Sequence, residues 1–252
     1  MIATIGCGMV WQRTIAAWIA ALACAACGGD DASGVDAGPG DGDAGADGGP
    51  PSGVTVEFVP LGANAQPASG QGPIELEDFR VDTITIQMHD LRLIGDTAPS
   101  GSLVLDSRAV QFPAAPTLRV SFEMAPPGLY SRLTFDVERT WAEETVPDGF
   151  EGQRLAVRVL GEAHIGNRDR RFEYVDDQRI GIDLGFDEEV APGVPGSVVV
   201  ELDLGEWFGD VDWRELDERG GGNKPMVIGM GEHPDIAELL RAGLSKAFEV
   251  RE

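Results

Sequence analysis

Ile180-Gly181-Ile182-Asp183-Leu184-Gly185-Phe186 carries an apolar side chain at every second position, with glycine or aspartate between. A period of two sends alternate side chains to opposite faces of an extended chain, so this stretch reads as a strand with one buried face. The pattern continues downstream through Val198, Val200, Leu202 and Leu204. Upstream it recurs at Leu155, Val157 and Val159, at Leu133, Phe135 and Val137, at Leu118, Val120, Phe122 and Met124, and at Val54, Val56 and Phe58. Proline and glycine clusters at Pro99-Ser100-Gly101, Pro126-Pro127-Gly128 and Ala191-Pro192-Gly193-Val194-Pro195-Gly196 separate the runs as turns. Short strands at regular spacing predict a mainly β chain, an antiparallel β-sandwich over residues 54–252.

Three places depart from the simple pattern. Ile84, Ile86 and Met88 share one face, but the next apolar pair is Leu91 and Leu93. A slip of one residue turns every following side chain over, so a β-bulge is expected at His89-Asp90. Glu206 to Leu216, with Trp207, Phe208 and Trp213, reads as a short helical cap, and Pro234 to Phe248 as a C-terminal helix. In the latter, Ile236, Leu239, Leu240, Leu244, Ala247 and Phe248 fall on one stripe.

The beginning of the chain has a different character. Residues 1–27 hold one basic residue, Arg13, and no acid, followed by the apolar run Thr14 to Ala23 and then Cys24-Ala25-Ala26-Cys27. A basic flank, an apolar run near ten residues and small residues before the break match a secretory signal. The run is too short for a spanning helix, which needs about 20 apolar residues. Met9 gives the more ordinary start for such a signal. The cysteines resemble the lipobox of bacterial lipoproteins, with Cys27 the better acceptor of the lipid and Cys24 its competitor; cleavage at Ala23-Cys24-Ala25 into a soluble protein is the other reading. Residues 28–53 are almost wholly Gly, Asp, Ala and Pro. They bury too little to offset their ordering entropy and are expected to be a disordered tether. Flexible-chain scaling gives such a tether a mean reach of about 25–30 Å.

Composition excludes several classes. The chain has 43 acidic and 19 basic residues, a net charge of −24. The six aspartates of the tether account for part of it, and the body keeps 37 acidic against 18 basic residues. Nucleic acid is not expected as a partner, since its binding rests on Lys and Arg. All three cysteines, Cys7, Cys24 and Cys27, lie in the targeting segment, so the body must be stable without disulfides. There is no Gly-x-Ser-x-Gly elbow, Walker loop or His-Glu-x-x-His, so neither enzyme chemistry nor a cofactor is expected. Asp41 to Ser52 fails the calcium-loop pattern, with Gly45 at the third ligand position and Ser52 at the twelfth.

The stretches Ile84 to Leu93, Pro127-Gly128-Leu129-Tyr130-Ser131-Arg132-Leu133 and Val200 to Phe208 resemble a group of bacterial lipoproteins with an immunoglobulin-like or prealbumin-like sandwich behind an acidic tether. The Pro-Gly-x-Tyr-x-x-Leu turn is the most specific of these. A weaker likeness is to periplasmic copper-binding proteins of methanotroph type, which use histidine around the metal, although the cysteines usual there are missing.

Candidate binding residues are few. A metal site needs His89, His164 and His233 to converge, with Met88, Met124, Met226 and Met230 as soft donors for cuprous copper. Met88 and Met124 are expected to face the core. Trp207 and Trp213, with Asp210 and Asp212, offer either a sugar platform flanked by carboxylates or a plug for the end of the sandwich. The expectation is a lipid-anchored protein of the Gram-negative envelope, in the outer membrane, acting as a non-catalytic binding or structural module. The alternatives are copper or calcium binding and carbohydrate binding. Its partners are then the membrane and a glycan, a metal ion or an envelope protein.

Overall fold

The computed structural model describes residues 52–62, 72–95, 102–105, 108–112, 117–146, 148–220 and 224–251, with 102–105, 108–112 and 220 described by their backbone alone. Cys27, the signal-like segment and nearly all of the acidic segment lie outside the described residues. No described helix is long and apolar enough to cross a membrane.

The elements in chain order are β1 (Val54–Leu61), β2 (Ile74–Glu75), β3 (Phe79–Gly95), β4 (Ser102–Leu105), β5 (Arg108–Phe112), β6 (Leu118–Phe122), β7 (Gly128–Val137), β8 (Val157–Ile165), β9 (Arg168–Asp176), β10 (Ile180–Val190), β11 (Gly196–Asp203), α1 (Leu204–Phe208), α2 (Trp213–Gly220), β12 (Met226–Ile228), α3 (Pro234–Ala247) and β13 (Phe248–Arg251). They form the mainly β sandwich with small helical parts that the alternation predicts. One sheet has four strands in the order β13-β11-β1-β6, and the other is built on β3. Pairings are antiparallel except β1 with β11 and β9 with β12, which are parallel. Parallel partners need long connections, and local alternation does not encode them.

The two sheets meet through the alternating residues. Phe58 and Phe248 of the smaller sheet meet Phe135 of the larger in edge-to-face contacts, with centroids 5.8 and 5.3 Å away, and each other at 6.5 Å. Each such side chain contributes roughly 1.5–3 kcal/mol through burial. Where the small sheet stops, α1, α2 and α3 cover the rest of the core. Phe79, Phe172, Trp207, Phe208 and Trp213 make an aromatic layer beneath them. Asp203 caps α1 by accepting from Gly205 N at 2.7 Å and Glu206 N at 3.0 Å. Gly243 lets α3 approach α1, since a Cβ there would lie 2.8 Å from Trp207 O. The predicted helix 234–248 ends one residue early: Phe248 is extended and begins β13.

The Pro-Gly-x-Tyr-x-x-Leu turn has a clear physical cause. Tyr130 is fully buried, and its hydroxyl donates to Pro126 O at 2.8 Å, tying the start of β7 to the turn before it. One expectation is corrected here. Met124 does not face the core: β6 ends at Phe122, the chain turns, and Met124 is 71% exposed.

β3 organises the larger sheet. Ile84 to Met88 pair with Phe112 to Arg108, and Leu91 to Ile94 with Leu105 to Ser102, in one register, so β4 and β5 line one edge together. The other edge is shared. Phe79 to Ile86 pair with β8, and Met88 to Gly95 with β7. Gln87 sits at the fork, its N–H donating to Ala156 O at 2.9 Å and its C=O accepting from Glu138 N at 3.1 Å. The predicted bulge is present just beyond. The register with β7 slips between His89 and Arg92, and Asp90 takes a left-handed φ of 50°.

Candidate functional site

The fork in β3 creates the least ordinary environment in the molecule. Strands β7 and β8 diverge there, and the connecting segment, residues 138–156, folds over the outer face of the sheet. Thr85, Gln87 and His89, which alternation alone would leave in water, are 2%, 3% and 1% exposed. The covering segment is firmly held. Phe150 is fully buried, and the Arg154 guanidinium donates to the carbonyls of Thr140, Trp141, Ala142 and Glu144. Arg158 donates to Gly149 O at 2.8 Å.

Trp141 covers His89. Its indole stacks on the His89 imidazole with centroids 4.5 Å apart and planes 22° apart, while the outer part of the ring is exposed. Its backbone N–H donates to Glu144 Oε2 at 2.8 Å, which places that carboxylate 4.0 Å from His89 Nε2.

Within this enclosure the polar atoms lack partners. Six buried side-chain atoms among the described residues have no hydrogen-bond partner. Two of them, Glu201 Oε1 and Asp217 Oδ1, lie 2.8 and 3.0 Å from Arg251 and Arg170 and are satisfied by charge. The other four are Gln87 Oε1, His89 Nδ1, His89 Nε2 and Thr140 Oγ1. Gln87 and His89 are neighbours on one face of β3, and Thr140 precedes the tryptophan stacked on His89. A buried polar group left without a partner costs about 1–3 kcal/mol, so each of these atoms calls for an explanation.

A second feature gathers several residues singled out from the sequence. A cleft of about 550 Å³ is lined by Asp78, His164, Gly209, Asp210, Val211, Asp212, Trp213 and Arg214. His164 Nδ1 lies 2.8 Å from Asp169 Oδ1, and its Nε2 is 4.0 Å from Glu75. Asp212 is already engaged as the cap of α2, accepting from Arg214 N at 3.1 Å and Glu215 N at 3.0 Å. Trp213 is 7% exposed and Trp207 2%, with Trp207 Nε1 donating to Leu240 O at 2.9 Å. Their ring faces are spent on packing, in the manner of the plug. The exposed indole of the described body is that of Trp141.

The three histidines do not come together. His164 N donates to Asp78 O at 2.7 Å, and His89 lies eleven residues further along β3 from Asp78. At about 3.3 Å per residue, roughly 35 Å separates the two. His233 stands before α3 with a φ of 59°. Among the described residues no group of three or more His, Cys, Asp or Glu side chains could hold a metal ion. Cys27 lies outside the described residues.

No known protein family matches the sequence, and no curated protein does. Among solved structures, MbnP from Methylosinus trichosporium is similar to this chain at a TM-score of 0.41 and 15% identity. The match covers 64% of this chain and 78% of that one. At that level no residue of the neighbour can be carried over.

Gln87 and Thr140 were not singled out by sequence reasoning. The available signal was a strand, Thr85-Ile86-Gln87-Met88-His89, whose polar set is neutral rather than charged, followed by a segment with an isolated tryptophan. Neutral polar residues tolerate burial better than the charged ones that fill most outer positions here.

Proposed function

We propose that this chain is an envelope lipoprotein, anchored through Cys27, whose immunoglobulin-like or prealbumin-like body is a non-catalytic binding module, and that its binding centre is the pocket beneath Trp141. The anchoring rests on the lipobox-like cysteine between an apolar run and an acidic, uncored segment. The binding role rests on one observation: Gln87 Oε1, both His89 nitrogens and Thr140 Oγ1 are buried without partners, with Trp141 stacked over the His89 ring. Those atoms offer acceptors from Gln87, a donor and an acceptor from neutral imidazole, and both from the hydroxyl. That is the complement of a small polar molecule or ion. Nothing there resembles an activated nucleophile with its base, so binding rather than turnover is the reading.

A second reading, metal binding, has its own support in the 4.0 Å between His89 Nε2 and Glu144 Oε2. The donors are imidazole, carboxylate, amide oxygen and hydroxyl. Such a set suits cupric copper or zinc better than cuprous copper, because Met88 points to the core on the opposite face. It is too poor in carboxylates for calcium, which takes six to eight oxygens.

Full-length protein purified from its own membrane tests both readings by native mass spectrometry and elemental analysis. A bound species, retained by wild type and lost from His89→Leu, supports the binding centre, and its mass or metal content selects between the readings. A wild-type chain that carries nothing, and whose melting temperature is unmoved by copper, zinc or extracts of small envelope metabolites, would overturn the binding role.

A further inference from the structure

The described body begins at Ser52, and that root is bolted in place. Ser52 N and Gly53 N both donate to Ala125 O at 3.1 Å, Ser52 Oγ donates to Ala191 O at 3.0 Å, and Gly193 N donates to Ser52 Oγ at 2.9 Å. Two turns therefore flank the root, one from β6 to β7 and one from β10 to β11. Each presents an exposed apolar residue beside it: Met124 at 71% and Val194 at 57%. A quarter of the chain is charged, yet residues 48–56, 124–131 and 190–200 contain no charged side chain. Ala191, Pro192 and Pro195 are exposed beside Val194. The opposite end of the sandwich is the reverse. β1 and β11 run side by side from this tip to Leu61 and Asp203, about 25 Å away, where the helices and the acidic cleft of Asp78, Asp210 and Asp212 begin.

From this polarity we propose that the uncharged tip formed by Met124 and the turn Ala191–Pro195 docks on the lipid surface to which the chain is anchored, holding the acidic helical end away from the bilayer. The inference rests on the anchoring reading above. Twenty-four residues lie between Cys27 and the root at Ser52, so the tip is the part of the body tied closest to the membrane. Tethering makes the contact intramolecular, and weak apolar insertion then suffices. Glu123, Asp187 and Glu189 are exposed around the tip. They favour a zwitterionic surface over an anionic one.

The test uses the full acylated chain in phosphatidylethanolamine–phosphatidylcholine vesicles, with an environment-sensitive fluorophore on Met124→Cys, Val194→Cys or, as the distal reference, Asp210→Cys. Doxyl-lipid quenching at least twofold greater at positions 124 and 194 than at 210 is expected. Met124→Asp should halve the quenching of the label at 194 while the protein still sediments with vesicles, and phosphatidylglycerol-rich vesicles should reduce it too. Equal quenching at all three positions in a protein that sediments and carries the acyl mass would overturn the docking alone. A chain that lacks the acyl mass and stays in the supernatant would overturn the anchoring and the docking with it.

Discussion

Asp176 and His89 are both polar side chains buried in the larger sheet, 2% and 1% exposed, and they are treated in opposite ways. Asp176, at the end of β9, accepts from the Tyr174 hydroxyl at 3.0 Å, from Gln178 N at 2.8 Å, and from Arg241 of α3 in a two-point clamp at 2.8 and 3.0 Å. Every lone pair has a use, and the network fastens a helix to a sheet. His89 has a stacked ring above it and no hydrogen bond at either nitrogen. A satisfied buried network is explained by the fold itself; an unsatisfied one is explained by something the fold holds. The contrast places Asp176 in the architecture and is the ground on which His89 is proposed as a binding residue.

Removing one partner from the satisfied network gives the largest expected effect. Arg241→Ala leaves a carboxylate that is fully enclosed without its counter-charge, which costs about 3–5 kcal/mol in urea unfolding. An unchanged midpoint would remove the distinction between the two regions. The same network governs alkaline stability. Burial first, then the nearby Asp176 carboxylate, push the Tyr174 phenol well above its ordinary value of 10.0, and burial also raises that of Tyr130. A raised native value means that stability is complete below the unfolded phenol's range and falls as pH rises through and beyond 10, by up to about 1.4 kcal/mol per pH unit for each such group. These are the only two tyrosines. Absorbance at 295 nm should therefore show tyrosinate only with unfolding, and Tyr174→Phe should flatten the alkaline loss.

Smaller effects belong to the covering segment. Arg154→Ala frees the carbonyls of residues 140, 141, 142 and 144 and is expected to cost about 1 kcal/mol, since the guanidinium is largely in water. Its clearer signature is increased hydrogen exchange over residues 138–146 with β1 and β11 unchanged. If exchange rises evenly across the body, the segment is not a separable cover.

Much of this arrangement can be read from the chain, and the reasons for the exceptions are physical. Alternation locates β1, β7, β10 and β11, and the phase break from Met88 to Leu91 locates the bulge, because a strand half in the core constrains every second residue. α3 shows in its stripe, of which Leu240, Leu244 and Ala247 are buried. The fork at Gln87 does not show, because it depends on two distant strands sharing one edge. The pocket is hidden for the same reason. Thr85, Gln87 and His89 obey the pattern of an outward face, yet they are buried, with Trp141 from the segment after β7 stacked over His89. His164, Asp210, Asp212 and Trp213 do meet at one cleft, but His89 and His233 stand elsewhere, since spacing in sequence carries no information about which ends of the sandwich they occupy.

The most direct test of His89 as a binding residue needs no knowledge of the ligand. Replacing Gln87 and His89 together by leucine removes three of the four unpartnered atoms from an enclosed site, while keeping an apolar volume beneath Trp141. If those atoms are retained for binding, urea unfolding of the ligand-free full-length protein should show the double variant as stable as wild type or more so. A loss of about 3 kcal/mol or more would show that the pocket is structural and would contradict the assignment.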